Sequence, residues 1–402
     1  MITLNIDMVK DAAEVLKNIA RVTPLIPSPK INEHSNVYIK CENMQLTGSF
    51  KLRGGYYKIS KLTESEAKKG VIACSAGNHA QGVALAAKKR GIKATICIPT
   101  GAPLSKIEAT RSYGANVILC PGVYDDAYTT AMNLQKEYDY SFIHPFNDDY
   151  VMAGQGTIAL EILEKLPNTE AVFVPIGGGG LISGIAYTIK QINPNCKIYG
   201  VQAEGAPSMY NSIKNGKTQK LNSVATMADG IAVKEPGNKT FEICSKYVDE
   251  IVTVSECEIA TAILSLIENH KIVAEGAGAV SVAAAMFNKI DIKNKNVVCI
   301  VSGGNVDVNI LSRIIDKALH KTGRIISFIA ELSDKPGELN KILNIITKYE
   351  ANIISIVHDR SNVDLNIGIC LVDFVVETKN SEHINTLIKK LRENNYKILL
   401  KN

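Results

Sequence analysis

Short apolar runs alternate along this chain with longer stretches in which apolar side chains recur every three or four positions. Residues 71–74, 94–98, 116–119, 171–176, 197–202, 251–254 and 296–301 read as strands. Several are apolar throughout, the pattern of parallel strands covered on both faces. Residues 8–20, 78–89, 105–113, 152–166, 180–191, 256–269 and 307–320 read as helices. In the first of these Val9, Ala12, Ala13, Leu16 and Ile19 share one face and Pro24 follows its end, while Gly91 is placed to terminate the helix over 78–89. Repeated strand–helix units predict an α/β architecture with mainly parallel sheets.

The rhythm changes near residue 322. Strand 324–332, helix 336–349, strands 352–359 and 366–377, helix 382–394 and strand 396–400 follow in the βαββαβ order of a ferredoxin-like domain. Pro336 is expected at the first helical position, with Ser333 or Asp334 as the cap before it. The expected division is therefore 1–322 and 323–402, which suits a length of 402 residues.

Composition changes this picture little. The net charge of +5 comes from 45 basic and 40 acidic residues spread along the chain, so neither nucleic acid nor membrane is expected as a partner. Nine cysteines without a CxxC pair, most of them in apolar runs, predict buried thiols in a reducing compartment rather than disulfides or a metal site. The first residues show no basic segment followed by an apolar one, and the longest uncharged run, 171–189, is broken by Pro175 and four glycines. A cytoplasmic protein is expected.

Three turns of small residues fall at predicted strand ends, where parallel sheets present their ligands: Ser75-Ala76-Gly77-Asn78, Gly177-Gly178-Gly179-Gly180 and Ser302-Gly303-Gly304-Asn305. At the first, backbone N–H groups left over at a helix start suit a carboxylate, although a plain strand-to-helix turn has the same look. His79, just inside it, reads as a locally packed residue before a proton carrier. The four glycines let the backbone approach a phosphate, yet match neither GxxxxGK[ST] nor GxGxxG. Ser302 offers a hydroxyl to a ligand nitrogen, or caps the helix after Asp307. Lys51, in Ser49-Phe50-Lys51-Leu52-Arg53-Gly54, is a candidate Schiff-base lysine; by itself it also fits an ordinary surface lysine. An amine, a carboxylate cradle, a phosphate cradle and a hydroxyl together are what pyridoxal 5′-phosphate and an amino acid require.

In combination these stretches resemble the serine/threonine dehydratases, members of the fold-type II (tryptophan synthase β-like) pyridoxal-phosphate enzymes, and among them the threonine ammonia-lyases. His144-Pro145-Phe146, Ala153-Gly154-Gln155-Gly156-Thr157, Ala228-Asp229-Gly230 and Glu275-Gly276-Ala277-Gly278-Ala279 share the resemblance, which covers about 5–320. Asp334-Lys335-Pro336-Gly337 and Ala351-Asn352-Ile353 resemble an ACT domain, a regulatory amino-acid-binding module.

The resemblance implies two α/β subdomains, the smaller spanning about 41–149 and inserted in the larger, followed by the regulatory domain. It implies that Lys51 carries the cofactor and moves the substrate's α-proton, that Phe50 packs beside the ring, and that Asn78 bonds the ring 3′-oxygen. Gly177, Gly178, Gly179, Gly180 and the Leu181 amide would bind phosphate, Ser302 the pyridine nitrogen, and Ser75, Ala76, Gly77, Asn78 and His79 the substrate carboxylate. The implied reaction is loss of water from L-threonine, and from L-serine, to give 2-oxobutanoate or pyruvate and ammonia. A hydroxyl rather than a carboxylate on the ring nitrogen makes a weaker electron sink, which favours prompt expulsion of a β-substituent. The alternative among enzymes is a serine-selective dehydratase or a serine racemase; serine racemases place a serine where this chain has Ala76, so racemisation is disfavoured, without deciding between threonine and serine as substrate. An inactive amino-acid sensor is the reading from another class. Asp334, Gly337 and Asn352 are the candidate effector residues, for isoleucine in a biosynthetic setting or AMP or ADP in a catabolic one, in a homotetramer or dimer.

Overall fold

The computed structural model describes residues 4–360 and 366–401. The chain divides into two compact units, Met1–Ile310 and Leu311–Asn402. Three sheets are present among the described residues. No helix among them is long and apolar enough to cross a membrane.

The first unit holds two sheets. The larger runs, in spatial order, Leu25–Pro27, Asn36–Cys41, Asn296–Val301, Ala171–Pro175, Lys197–Ala203 and Glu250–Val254. Only its first strand is antiparallel to its neighbour. The smaller is wholly parallel, in the order Asn116–Cys120, Ala94–Pro99, Val71–Cys74 and Ser141–Phe142. Their central strands are buried on both faces, as continuous apolar runs require. The turns after Cys74, Pro175 and Val301 thus open at carboxyl ends of parallel strands.

Expected and observed elements agree to within a few residues at most ends, with instructive exceptions. The first helix is Ile6–Leu16, not 8–20: Asn5 caps it by accepting the Met8 N–H at 2.9 Å, and Asn18 ends it in a left-handed conformation (φ 64°). Ile19 still packs on the core, from a turn rather than a helix. Tyr124–Tyr138 is a helix that the apolar pattern did not disclose, because its fully buried residues are only Ala127 and Ala131. Lys51–Ser60 is another, since Gly54 and Gly55 are poor helix formers.

Tight packing explains why those glycines sit in a helix. A Cβ on Gly154, in the helix Asp149–Lys165, would lie 2.7 Å from both the Arg53 carbonyl oxygen and Gly54 Cα. A Cβ on Gly82, in the helix Asn78–Arg90, would lie 2.9 Å from the Lys51 carbonyl carbon. The Lys51 helix is thus pinned between two neighbours at near backbone contact. Beside it, Arg53 is buried with Glu42 and Lys40. Arg53 donates to Glu42 (2.8 Å) and Glu161 (2.6 Å), and Lys40 also pairs with Glu161. Burial pushes the Glu42 carboxyl upward, but the Arg53 guanidinium outweighs it and holds the group below its usual range. Two cations and two carboxylates thereby neutralise one another where unpaired charge would be very costly.

The second unit is a four-stranded antiparallel sheet in the order Asn352–Asp359, Ile369–Glu377, Ile325–Ser333 and Lys397–Leu400, with helices Glu338–Lys348 and Ser381–Glu393. Its connectivity is βαββαβ. Phe328 and Phe374 stack at 5.2 Å in a core shared with Ile342, Ile346, Leu387 and Leu391. Pro336 is not the first helical residue. The helix begins at Glu338 behind Gly337 (φ 90°), because Lys335 N–H turns back to the Ser333 carbonyl at 2.8 Å. Asp334 does not cap it either, and accepts instead from Arg360 at 3.0 Å.

Gly154→Ala should destabilise the protein by about 1–3 kcal/mol, since the added methyl meets backbone that cannot yield. Chemical denaturation measures this; a variant as stable as the parent would mean that the helices do not approach so closely.

Candidate active site

The three small-residue turns and Lys51 line one cavity of about 690 Å³. Every residue expected at the cofactor or at the substrate carboxylate is on its wall: Phe50, Lys51, Ser75 to His79, Gly177 to Leu181, and Ser302. Backbone bonds join two of these segments. Phe50 N–H donates to the Ser302 carbonyl (3.1 Å), Gly304 N–H to the Gly48 carbonyl (2.9 Å), and Ser49 bridges Gly303. Lys51 and Ser302 are thereby fixed relative to each other by main chain.

Lys51 opens its helix. Its Nζ donates to the Pro145 carbonyl at 2.9 Å and lies 5.1 Å from the centre of the Phe50 ring. Burial lowers its pKa to about 8, against the pull of Glu275. The amine is therefore much closer to a neutral, nucleophilic state than a surface lysine.

The turn 75–78 leads from strand to helix. Ser75 Oγ accepts the Gly77 N–H at 3.2 Å, and the helix that starts at Asn78 leaves its first N–H groups for a ligand. His79 is committed elsewhere. Its Nε2 faces the Ile143 carbonyl at 2.8 Å, so that nitrogen carries the proton, and burial lowers the ring's pKa to about 3. Only its backbone is available to an anion. His144 is held uncharged by burial as well, to about 4, while Nδ1 accepts the Phe146 (3.2 Å) and Asn147 (2.8 Å) N–H groups.

The tetraglycine turn ends a buried strand and starts the helix Gly180–Ile192, with Gly179 left-handed (φ 97°). Any Cβ on Gly178 would overlap the Phe146 ring, and one on Gly180 would sit 2.8 Å from Phe146 Cα. Thr240 Oγ1 ties down the Gly178 carbonyl at 2.6 Å. The backbone is thus pressed flat at a helix N-terminus, where amide N–H groups and the helix dipole suit a phosphate. Ser302 does not cap the following helix, since Asp307 takes that place by accepting the Asn309 N–H at 2.9 Å. The buried Ser302 hydroxyl makes only a long bond, 3.3 Å, to the Ala277 carbonyl, and is available to a ligand.

Sequence reasoning gave no role to Glu275, although it singled out the stretch beginning there. Its carboxyl lines the cavity and accepts from Asn78 Nδ2 at 2.6 Å. Burial, with Asp229 nearby, raises its pKa to about 8. At the rim Lys106 pairs with Asp229. Asp334, Gly337 and Asn352 are not brought together within one chain. Asn352 lies opposite Glu377, which in turn lies opposite Ile325, whereas Asp334 and Gly337 follow Ser333, at the far end of the Ile325–Ser333 strand.

An enclosed amine, a flattened glycine turn at a helix start and a weakly engaged buried hydroxyl fit the aldehyde, phosphate and ring nitrogen of pyridoxal phosphate. Comparison with known proteins agrees. The family described as pyridoxal-phosphate dependent enzyme matches residues 16–303. An L-threonine ammonia-lyase of Thermotoga maritima is 50% identical over 400 residues, covering 99% of each chain. The processed form of threonine deaminase isoform 2 from Solanum lycopersicum superposes with a TM-score of 0.73 at 41% identity, over 78% of this chain and 89% of that one. Maize serine racemase gives a TM-score of 0.74 at 36% identity, over 79% and 98%. With its glycine cradle and enclosed lysine amine, this chain belongs to the pyridoxal-phosphate dependent enzymes.

Proposed function

We propose that this protein is a threonine ammonia-lyase, converting L-threonine to 2-oxobutanoate and ammonia and L-serine to pyruvate and ammonia. The observation that carries the reading is the convergence of the Lys51 amine, the tetraglycine turn and the Ser302 hydroxyl on one cavity. When bound, pyridoxal phosphate supplies an electron sink for charge at the substrate α-carbon.

The chain's own groups divide the remaining work. The N–H groups of Gly177 to Leu181 hold the phosphate. Phe50 packs beside the ring, and Asn78 donates to the ring oxygen. Ser302 donates its hydroxyl to the ring nitrogen without bringing a negative charge, which keeps the sink weak and suits rapid loss of the β-hydroxyl. The backbone of Ser75, Ala76, Gly77, Asn78 and His79 binds the substrate carboxylate, orienting the α-proton. Lys51 Nζ takes that proton, its lowered basicity placing the neutral amine within reach near physiological pH. Ala76 has no group that transfers a proton, so the opposite face of the substrate lacks the second acid–base residue that racemisation needs.

The C-terminal part, 323–402, is read as an ACT regulatory domain on the strength of its βαββαβ order, following a catalytic part of 1–322. An effector that touches Asp334, Gly337 and Asn352 together would have to lie between two copies of the chain, in keeping with a homodimer or homotetramer. Regulation requires that effector to bind two states of the enzyme unequally.

Lys51→Ala should abolish the yellow colour of the holoenzyme and lower 2-oxoacid formation by at least about 10³-fold; activity that survives would defeat the assignment. Because the lysine must be neutral to accept a proton, kcat should rise with pH and level off above about 8, as a pH–rate profile would show. Assays with L-threonine and L-serine, each with isoleucine, AMP or ADP added, should give a 2-oxoacid from both substrates and a response to one effector.

A further inference from the structure

The Ser302-Gly303-Gly304-Asn305 and Glu275-Gly276-Ala277-Gly278 stretches contain two polar side chains, Asn305 and Glu275, that the proposed chemistry leaves without a task. Both bond to the same residue. Asn305 Nδ2 donates to the Thr47 carbonyl and to Asn78 Oδ1, each at 2.8 Å, and Asn78 Nδ2 donates to Glu275 Oε1 at 2.6 Å.

The direction of this chain follows from one backbone atom. The Thr47 carbonyl can only accept, so the Asn305 atom facing it is nitrogen. The second N–H of that nitrogen must then meet an acceptor, so the Asn78 atom facing Asn305 is oxygen. The Asn78 nitrogen is left facing Glu275 with one N–H still uncommitted, and Asn78 lines the cavity. Had the Asn78 amide been turned over, its NH₂ would oppose that of Asn305.

Space around the chain is kept by glycines. A Cβ on Gly303 would overlap Glu275 Oε1 and lie 3.1 Å from Asn78 Nδ2, and one on Gly48 (φ 69°) would overlap Asn305 Oδ1. The Glu275 N–H is itself tied to the Gly303 carbonyl at 3.1 Å. Part of the third turn thus clears room for a hydrogen-bond chain running from Thr47 to Glu275.

We infer that Asn305 and Glu275 are positioning residues that fix which way the Asn78 amide faces, so that one Asn78 N–H is held for an acceptor on the cofactor ring. The inference deepens the proposed function and rests on it. Asn305 supplies the donor that selects the orientation. Glu275 supplies an acceptor, which either a carboxyl or a carboxamide oxygen provides; its raised pKa is consistent with an uncharged acid doing so.

The test uses the full-length chain with added pyridoxal phosphate, measuring the cofactor dissociation constant and the position of the bound cofactor's visible absorption band. Asn305→Asp replaces the selecting donor with an acceptor and should turn the Asn78 amide over, shifting the band and weakening cofactor binding by about tenfold or more. Glu275→Gln should keep both readouts within about twofold of the parent, while Glu275→Leu, which leaves an Asn78 N–H without its acceptor, should weaken cofactor binding by about tenfold or more. Far-UV circular dichroism checks folding; if Asn305→Asp does not fold, Asn305→Leu, which removes the donor without adding an acceptor, decides by the same readouts. An unchanged band and affinity in the folded Asn305 variant would overturn the inference, as would Glu275→Gln behaving like Glu275→Leu. A parent that takes up no pyridoxal phosphate would instead defeat the functional reading beneath it.

Discussion

The seating of one short helix governs the rest of this structure. Lys51–Ser60 carries the buried cavity amine on its first residue and has no side chain capping it. Its position comes from outside. Gly54 meets the neighbouring helix at Gly154, Gly82 lets a second helix approach the Lys51 backbone, and Arg53 is clasped by Glu42 and Glu161. Such contacts do not stretch, because each is either backbone against backbone or a buried ion pair whose rupture strands a charge. The residues just before the helix are bonded in turn to the end of the central strand Asn296–Val301. The amine and the hydroxyl, both on the cavity wall, are therefore held by a continuous frame.

Within that frame the electrostatics are economical. The two histidines near the cavity are kept neutral by burial, so they neither repel the lysine strongly nor compete with it for a proton. Glu275 is also moved toward its uncharged form. Two helix starts, at Asn78 and Gly180, turn backbone N–H groups toward the cavity, and their partial charges suit a carboxylate or a phosphate without a counter-ion having to rearrange.

Much of this was legible in the residues. The parallel α/β architecture followed from continuous apolar runs, and the cavity from three small-residue turns at strand ends. What stayed hidden had physical causes. Tyr124–Tyr138 buries alanines, which leave almost no periodic signal. Lys51–Ser60 contains two glycines, poor helix formers whose place makes sense only once the facing helices are known. Glu275 and Asn305 act through partners 197 and 227 residues away from them in sequence, at Asn78, and such pairings are invisible to local patterns. Ser302 was assigned two possible uses, and the geometry removes one of them by giving the helix cap to Asp307.

The cysteines carry a last consequence. All nine are unpaired, and eight are buried. Burial pushes the thiols of Cys41, Cys74, Cys97, Cys196 and Cys244 up to about 12. Oxidants and alkylating agents attack the thiolate, so these sulfurs serve the interior as inert apolar volume. Cys74 is on the cavity wall, yet its sulfur belongs to the packing behind it, beside Cys97, Cys120, Ala127 and Ala131, and donates to the Tyr124 carbonyl.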